Sequence, residues 1–376
     1  MHVLGNGRAF YYIEVTYQEF SNPVPRLHLT SPYLKFYSLA LCLSLSLGGA
    51  GADSLHKVPH EWRMKPLKKV DTTTKIAPTP VRNSVHPIKS ELGQIRPSTS
   101  LNIDGNSNRF GSTIAAWTVA NPKAVILSLH GFGLSKESFA GFASAMNRFG
   151  ISCYAMDVRG FGSWKEKESE KLDFYKTLID VKAALSYLRQ HNKTPIFLLG
   201  ESMGGAVALQ ATSMFPDAVD GVIVSVPGDS YYKTLEASTK VALEFLKPGG
   251  GIDLSEHVVG NSTSNEKVRK DWLNDPQARL SLSAGELLAF KKFMSKTDDM
   301  VKDITSTPVL MFHGYKDQLS KPSGTLRIFR ELKTSQKDLI MLGSAEHLIF
   351  EKEQFDNHVV EMVRAWIGKH CQSSFK

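Results

Sequence analysis

The chain has 376 residues, of which 42% are hydrophobic and 22% are charged, a composition typical of one large α/β domain or two ordinary globular domains. The formal net charge is +8, but the basic residues are spread along the chain, and no zinc-finger spacing or aromatic–basic RNA-binding pattern occurs. These features argue against a nucleic-acid partner and favour a loose association with an anionic membrane surface. Three cysteines without a Cys-x-x-Cys pair argue against a disulfide scaffold and against a metal site.

An apolar run near the N-terminus follows Lys35 and ends at Leu47, before small residues that offer an Ala-x-Ala cleavage site ahead of Asp53. This arrangement is typical of a secretory signal, and the run is too short to span a bilayer comfortably. Because many residues precede the run, either the true start lies nearer Leu34 or the segment is kept as an anchor. We therefore expect residues 1–52 to be a signal or anchor segment with an N-terminal extension. The protein would then be exported, periplasmic or secreted, or membrane-anchored; a cytoplasmic location is the alternative.

Residues 53–100 are rich in Pro, Lys, Ser and Thr and lack apolar periodicity, which predicts a disordered linker. Beyond the linker, short apolar runs alternate with amphipathic helical patterns such as those at 174–188 and 355–366. Buried strands are predicted at 123–129, 151–156, 195–199, 221–226, 308–312 and 338–342. This alternation predicts an α/β fold with a mostly parallel central sheet and helices on both faces.

The interval 229–306 is far longer than a crossover between neighbouring strands needs. Helical patterns at 231–246, 266–273 and 284–294 predict a helical cap inserted here, after the sixth strand of the sheet. The core then consists of residues 101–228 and 307–376. The apolar residues of the cap are candidates for the lining of an acyl channel, although their helical spacing also suits packing of the cap on the core. They are Leu235, Val241, Phe245, Leu246, Leu287, Leu288, Phe290, Phe293 and Met294.

The pentapeptide from Gly200 to Gly204 has the pattern G-x-S-x-G between an apolar strand and a helical pattern. This pattern is typical of a nucleophile on a tight strand-to-helix turn, where larger residues at the glycine positions would collide with neighbouring backbone. The turn exposes the hydroxyl of Ser202 beside a helix N-terminus, whose dipole favours developing negative charge. A serine that only caps the helix is the alternative, and the complete pattern in this position favours the nucleophile.

A serine hydroxyl at neutral pH needs a base, and the base needs an acid that orients it. On this fold the acid and then the histidine follow the serine in the chain, each after a later strand. Asp317 follows the strand predicted at 308–312, and His347 follows the last predicted strand. We therefore predict Ser202, Asp317 and His347 as a catalytic triad.

Competing residues and sites fit less well. Asp229, after the preceding strand, is the weaker alternative for the acid, and Asp303 lies before its strand, at the wrong edge of the sheet. Other downstream histidines, such as His257, lie in helical patterns and are expected to be solvated. The glycine-rich stretch 130–133 lacks the spacing of a phosphate-binding loop, so neither a nucleotide nor any other cofactor is predicted.

An oxyanion that forms during acyl transfer needs two backbone N–H donors. One is predicted at Met203, the residue after the nucleophile, at the start of its helix. The other is predicted at Phe132, in the loop after the first buried strand, because Gly131 beside it lets the backbone approach the substrate.

The segment from about residue 119 to residue 367 resembles an α/β-hydrolase of the monoacylglycerol lipase, lysophospholipase and serine-aminopeptidase-like group. The matching motifs occur in order, as L-H-G-F-G, D-V-R-G-F-G-S, G-E-S-M-G-G-A, H-G-Y-K-D and E-H-L-I-F-E, with a similar cap stretch from Trp272. The resemblance implies the α/β-hydrolase fold and the site residues Ser202 as nucleophile, His347 as base, Asp317 as orienting acid, and Phe132 and Met203 as oxyanion donors. Two departures are Glu201, where many members have histidine, and Gln318, where arginine is frequent.

The expected reaction is hydrolysis of a carboxylic ester through an acyl-enzyme, without a cofactor or a metal. A serine nucleophile argues against the epoxide hydrolase and dehalogenase variants of the fold, which use aspartate. The expected substrate is a mono-acyl lipid or small ester, as for a monoacylglycerol lipase or a lysophospholipase-like carboxylesterase. A peptidase, amidase or thioesterase on the same triad remains open, as does a ligand-binding protein without catalysis.

Overall fold

The computed structural model describes residues 12–16, 99–100, 113–165, 171–228, 230–231 and 251–371. The predicted signal or anchor segment and the predicted linker therefore lie almost wholly outside the described residues. Most of the cap helix predicted at 231–246 and the alternative acid Asp229 lie outside them as well.

Eleven strands lie within the described residues. They are β1 (Tyr12–Thr16), β2 (Thr99–Ser100), β3 (Ile114–Trp117), β4 (Ala124–Leu129), β5 (Ile151–Met156), β6 (Ile196–Glu201), β7 (Gly221–Ser225), β8 (Ile252–Asp253), β9 (Ser281–Leu282), β10 (Val309–Gly314) and β11 (Lys337–Leu342). Nine of them form one sheet in the order β1-β11-β10-β7-β6-β4-β5-β3-β2, and β8 pairs with β9. The sequence patterns miss β1, β2 and β3, which lie at the two edges of the sheet.

The central six strands, from β5 to β11 in the sheet order, pair in parallel, whereas β1, β2 and β3 pair antiparallel at the edges. Every residue of β4, β5, β6, β7 and β10 is buried, which explains why these strands form continuous apolar runs in the sequence. The predicted, mostly parallel sheet is confirmed.

Eight α-helices accompany the sheet in the described part of the chain. They are α1 (Ala140–Asn147), α2 (Phe174–His191), α3 (Met203–Met214), α4 (Ser255–Ser262), α5 (Glu266–Leu273), α6 (Ala284–Met300), α7 (Pro322–Glu331) and α8 (Asn357–His370). One buried apolar cluster joins α2, α3 and α7 to one face of the sheet, and a second joins α1 and α8 to the other face. The sheet is therefore covered on both faces, as the sequence predicts. No helix among the described residues is long and apolar enough to cross a bilayer.

The helices α4, α5 and α6, together with β8 and β9, form the cap between β7 and β10. The insertion follows β7. The cap is fixed to the core through Arg279, whose Nη1 donates to the Gly160 carbonyl at 2.9 Å and whose Nη2 donates to both carboxylate oxygens of Glu286. Glu286 also closes the capping box of α6 with Ser283. Although burial raises the pKa of Glu286, the hydrogen bonds from Ser283 and Arg279 outweigh it and lower this pKa to about 2.

A buried ion pair fixes the loop after β5 to α2. Arg159 in this loop donates from Nε to Asp180 Oδ2 at 2.6 Å and from Nη2 to Asp180 Oδ1 at 3.0 Å. Both side chains are almost fully buried. Because both charged groups are shielded from water, each is stabilised by the opposite charge of the other.

We expect Arg159→Met to lower the free energy of unfolding by about 3 kcal/mol, because it removes the cation that donates two hydrogen bonds to the buried Asp180 carboxylate. Urea denaturation of the two proteins measures the difference. The matched control is Lys267→Met, which removes an exposed pair with Asp271 and is expected to cost less than about 1 kcal/mol. Equal losses in the two variants would contradict the role given to the buried pair.

Candidate active site

Ser202 lies at the turn between β6 and α3 with φ 53° and ψ −115°, in a backbone region that side chains other than glycine rarely adopt. The two glycines of the pattern are required by close backbone contacts. A Cβ on Gly200 would lie 2.2 Å from the Gly204 carbonyl oxygen, and a Cβ on Gly204 would lie 2.0 Å from the Leu129 carbonyl oxygen. The small residues therefore let the strand, the turn and the neighbouring strand β4 pack together, and this packing holds the serine in its strained conformation.

The three residues predicted as a triad lie in one chain of hydrogen bonds. The Nε2 atom of His347 is 2.9 Å from Ser202 Oγ, and its Nδ1 atom is 2.8 Å from Asp317 Oδ2. Asp317 follows β10, and His347 follows β11, so both come from loops at the carboxyl edge of the sheet. All three side chains are largely buried, with Ser202 the most exposed at 8%. This arrangement can move a proton from the serine hydroxyl to the imidazole.

Backbone amides hold Asp317 in place: Leu319 and Ser320 each donate an N–H to its Oδ1 at 2.8 Å. Burial raises the pKa of Asp317, but the charge and hydrogen bond of His347 and the hydrogen bond from Ser320 outweigh burial and leave this pKa below its ordinary value. Burial lowers the pKa of His347, yet the charge and hydrogen bond of Asp317 and the charge of Glu201 leave it raised overall. The site therefore keeps a carboxylate next to an imidazole that accepts a proton readily.

The loop that carries His347 contacts the cap. The His347 N–H donates to the Ser262 carbonyl of α4 at 3.2 Å, and the Ser264 N–H donates to the Glu346 carboxylate at 2.7 Å. The position of the imidazole therefore depends on the cap as well as on the core.

The two predicted oxyanion donors are Met203, the first residue of α3, and Phe132, in the loop after β4. Among the described residues neither the Phe132 N–H nor the Met203 N–H donates to another protein group. The neighbouring Gly131 N–H is different, because it donates to Glu351 Oε2 at 2.8 Å. The Gly131 amide is thus already engaged, whereas the Phe132 and Met203 amides are free to bind a substrate oxygen.

His130 fixes the loop after β4 through both nitrogens of its ring. Its Nδ1 is 2.8 Å from the Gly131 carbonyl and its Nε2 accepts the Val158 N–H at 3.0 Å, which requires the proton on Nδ1. Burial lowers the pKa of His130, more than the charge of Asp157 raises it. His130 is therefore a neutral structural residue, with no free nitrogen for acid–base work.

A largely apolar cavity opens next to Ser202 and His347. It holds about 880 Å³ of space, part of it open to solvent. The apolar lining is contributed by core and cap, and includes Phe132, Leu254, Trp272, Leu287, Phe290 and Leu348. Among the lining residues that the structure describes, none is an aspartate or a glutamate.

The channel predicted from the cap sequence is only partly correct. Of the described candidates, Leu287 and Phe290 line the cavity, whereas Phe293 and Met294 are buried in the core. Leu288 is 56% exposed. The remaining candidates, Leu235, Val241, Phe245 and Leu246, lie outside the described residues. His257, expected to be solvated, is half-buried and lines the cavity, because α4 turns it toward the site.

No group of three or more His, Cys, Asp or Glu side chains in the described ranges is placed to hold a metal ion. Two further acids, Glu201 and Glu351, are buried near the site. The sequence patterns indicate no contact between them. The only signal that points to them is the pair of glutamates in the G-E-S-M-G and E-H-L-I-F-E motifs, which the fold brings together.

Residues 120–354 match the family described as "Serine aminopeptidase, S33". The chain belongs to this family. Curated relatives include the monoglyceride lipase of Rattus norvegicus, 26% identical over 66% of this chain and 83% of the relative. They also include the monoacylglycerol lipase of Mycolicibacterium smegmatis, 25% identical over 68% of this chain and 91% of the relative. The resemblance to an α/β-hydrolase of this group is confirmed.

Solved structures support the α/β-hydrolase fold. A soluble variant of monoglyceride lipase from Saccharomyces cerevisiae, in complex with a substrate analog, has a TM-score of 0.59 at 22% identity and covers 69% of this chain and 91% of its own. The monoacylglycerol lipase of Paleococcus ferrophilus has a TM-score of 0.55 at 20% identity and covers 68% of this chain and 98% of its own. At these identities the likeness is one of fold.

We expect Gly204→Ala to destabilise the protein by about 1–3 kcal/mol, because the added Cβ meets the backbone of Leu129 and neither segment can move aside. The same change is expected to slow the reaction of Ser202 with a fluorophosphonate, a reagent for activated serines. The control is Gly260→Ala in α4, where nothing lies within 4 Å of the added Cβ. This control is expected to leave the labelling rate unchanged. Normal stability and labelling in Gly204→Ala would contradict the close packing of the turn.

Proposed function

We propose that the protein is a serine hydrolase that cleaves a carboxylic ester of a mono-acyl lipid through an acyl-enzyme, as a monoacylglycerol lipase or a lysophospholipase-like carboxylesterase does. The observation that carries this proposal is the hydrogen-bond chain from Ser202 through His347 to Asp317. Ser202 and His347 also line an apolar cavity. Both named relatives are lipases of mono-acyl glycerides.

In the first step Ser202 Oγ attacks the acyl carbonyl while His347 Nε2 takes the hydroxyl proton. Asp317 holds the imidazole with its proton on Nδ1 and stabilises the positive charge that develops on the ring. The carboxylate remains ionised throughout, because its backbone donors and the imidazolium both favour its charged form.

The carbonyl oxygen becomes negative in the tetrahedral intermediate. In the proposal the free N–H groups of Phe132 and Met203 bind this oxygen, and the N-terminus of α3 adds its dipole. The imidazolium then donates its proton to the leaving alcohol, which leaves the acyl-enzyme. A water molecule repeats the sequence, with His347 as base, and releases the fatty acid.

The cavity supports a lipid substrate. Its lining is mainly aliphatic and aromatic, contributed by both the core and the cap, and such a surface stabilises an acyl chain by removing it from water. The apolar lining therefore favours an ester with an apolar acyl group as the substrate.

We also propose the organisation that the sequence predicts for the remaining chain: a signal or anchor segment in residues 1–52 that directs export, and a linker in residues 53–100. The net charge of +8 supports the proposal that the protein works next to an anionic membrane surface, where a mono-acyl lipid is found.

We expect the purified protein to release p-nitrophenol from acyl esters and to prefer chains longer than acetate, because longer chains bury more apolar surface in the cavity. Ser202→Ala is expected to lower kcat by at least about 10⁴-fold. The control is Ser295→Ala, on the exposed face of α6, which is expected to retain full activity. Activity that peaks at acetate would overturn the lipid substrate, and an inert wild type that binds a ligand tightly would overturn the hydrolase.

We expect kcat/KM to rise with pH through a midpoint above 6.5, the ordinary pKa of histidine, because His347 must be neutral to accept the serine proton and its pKa is raised. Asp317→Asn is expected to lower kcat by about 10⁴-fold, since the amide no longer stabilises the productive imidazole. The pH profile of ester hydrolysis measures the midpoint. A midpoint below 6.5 would contradict the electrostatic account of the site.

A further inference from the structure

Two glutamates are buried together behind the candidate active site. Glu201, at the end of β6, and Glu351, in the loop after His347, both have 0% of their surface exposed. Within the described residues no lysine or arginine forms an ion pair with either carboxyl group. Two buried carboxyl groups without a cation are costly if both are ionised, so their hydrogen-bond partners indicate which of them holds a proton.

Apart from the Glu351 carboxyl, with which Glu201 forms a side-chain hydrogen bond, the partners of the Glu201 carboxyl in the described structure are donors. Its Oε1 accepts the Ser225 hydroxyl at 2.8 Å and the Ile349 N–H at 2.6 Å, and the Phe350 N–H lies 3.2 Å from the same oxygen. Its Oε2 accepts the Glu351 N–H at 3.0 Å. A carboxyl group surrounded by donors is stabilised in its ionised form.

The partners of the Glu351 carboxyl differ. Its Oε2 accepts the Gly131 N–H, and its Oε1 lies 2.5 Å from the Ser138 hydroxyl oxygen. That hydroxyl has one hydrogen, and it is also 2.6 Å from the Ser135 carbonyl, which can only accept. When Ser138 donates to Ser135, its short contact with Glu351 needs a hydrogen on the carboxyl group. The geometry therefore suits a protonated Glu351.

The electrostatics agree with this assignment. Burial raises the pKa of Glu351 well above its ordinary value, and the negative charge of Glu201 raises it further. Burial also leaves the pKa of Glu201 raised, but the hydrogen bonds from Ser225 and from the backbone of Ile349 and Glu351 oppose that rise. The charged or titratable groups that act on the pair are the two carboxyl groups themselves and His347.

We propose that Glu201 and Glu351 act as one unit that holds a single proton, with the charge on Glu201 and the proton on Glu351, and that this unit positions both sides of the active site. Glu201 binds three successive N–H groups, at 349–351, of the loop that carries His347. Glu351 binds the Gly131 N–H, next to the predicted oxyanion donor Phe132. Both are positioning residues, and the proposal rests on the proposed function only where activity is the measurement.

The proposal predicts that glutamine is tolerated at one position and not at the other. In Glu351→Gln the amide N–H₂ replaces the carboxylic O–H toward Ser138, and its oxygen still accepts from Gly131, so we expect kcat close to the wild-type value. In Glu201→Gln an N–H₂ group faces the backbone donors and displaces the His347 loop, so we expect kcat to fall about hundredfold with little change in KM. The control is Glu353→Gln, an exposed glutamate in the same loop, with no expected effect.

Measurements over a series of pH values distinguish a shared proton from a purely structural role of the two glutamate side chains. Because the folded pKa of Glu351 is raised, the stability that its protonated form contributes is complete at low pH and is lost as pH rises through that pKa. We expect the wild-type thermal midpoint and kcat to decline as pH rises from 4.5, the ordinary pKa of glutamate, through the raised pKa of Glu351, and Glu351→Gln to lack that decline. Identical pH profiles in the two proteins would overturn the proposal, as would an active Glu201→Gln beside an inactive Glu351→Gln.

The activity measurements test the proposed function, whereas the thermal midpoints test the carboxyl pair by itself. If the wild type neither cleaves esters nor reacts with a fluorophosphonate, the proposed function is wrong, but the thermal midpoints still test the carboxyl pair without any substrate. If Glu201→Gln does not fold, the pH profile of the thermal midpoint of Glu351→Gln against the wild type decides the proposal alone.

Discussion

The close approach of Gly204 to the backbone of Leu129 is the constraint on which the candidate site depends. Only a residue without Cβ fits there, since the added atom would lie 2.0 Å from the carbonyl oxygen. This contact starts α3 directly against β4 and holds Ser202 at a positive φ. The serine hydroxyl thereby points away from the sheet, toward the loops after β10 and β11. The strain at Ser202 is balanced by the packing of the buried strands around it.

The site also shows how the fold holds buried carboxyl groups in place. Asp317 and Glu201 receive most of their hydrogen bonds from backbone N–H groups, of residues 319–320 and 349–351 respectively. Backbone donors are fixed by the loops that carry them, so the carboxylates and the loops hold each other in place. The cap adds a further restraint through Ser262, which accepts the His347 N–H. Positioning of the imidazole is therefore shared between core and cap.

Much of this arrangement could be predicted from the sequence, for identifiable reasons. The buried strands are continuous apolar runs because both faces of the sheet are covered, and the turn at Ser202 permits few residues other than glycine around it. The order of Asp317 and His347 after later strands could be predicted because parallel strands end at one edge of the sheet. The structure brings these three side chains into hydrogen-bond contact.

Other features could not be predicted, because they depend on packing between distant segments. The strands β2 and β3 lie at an edge and are too short for a clear pattern. The side-chain direction of His257 depends on how α4 docks on the core. Glu201 and Glu351 are 150 residues apart in the sequence, and neither motif indicates that their carboxyl groups are buried together.

The most direct test of the central claim is the mass of the peptide that contains Ser202 after brief reaction with a p-nitrophenyl ester and quenching in acid. We expect this peptide to carry the acyl group, with no acylated peptide in Ser202→Ala. An acyl group on another residue, or turnover without any acylated peptide in the wild type, would contradict the assignment of Ser202 as the nucleophile.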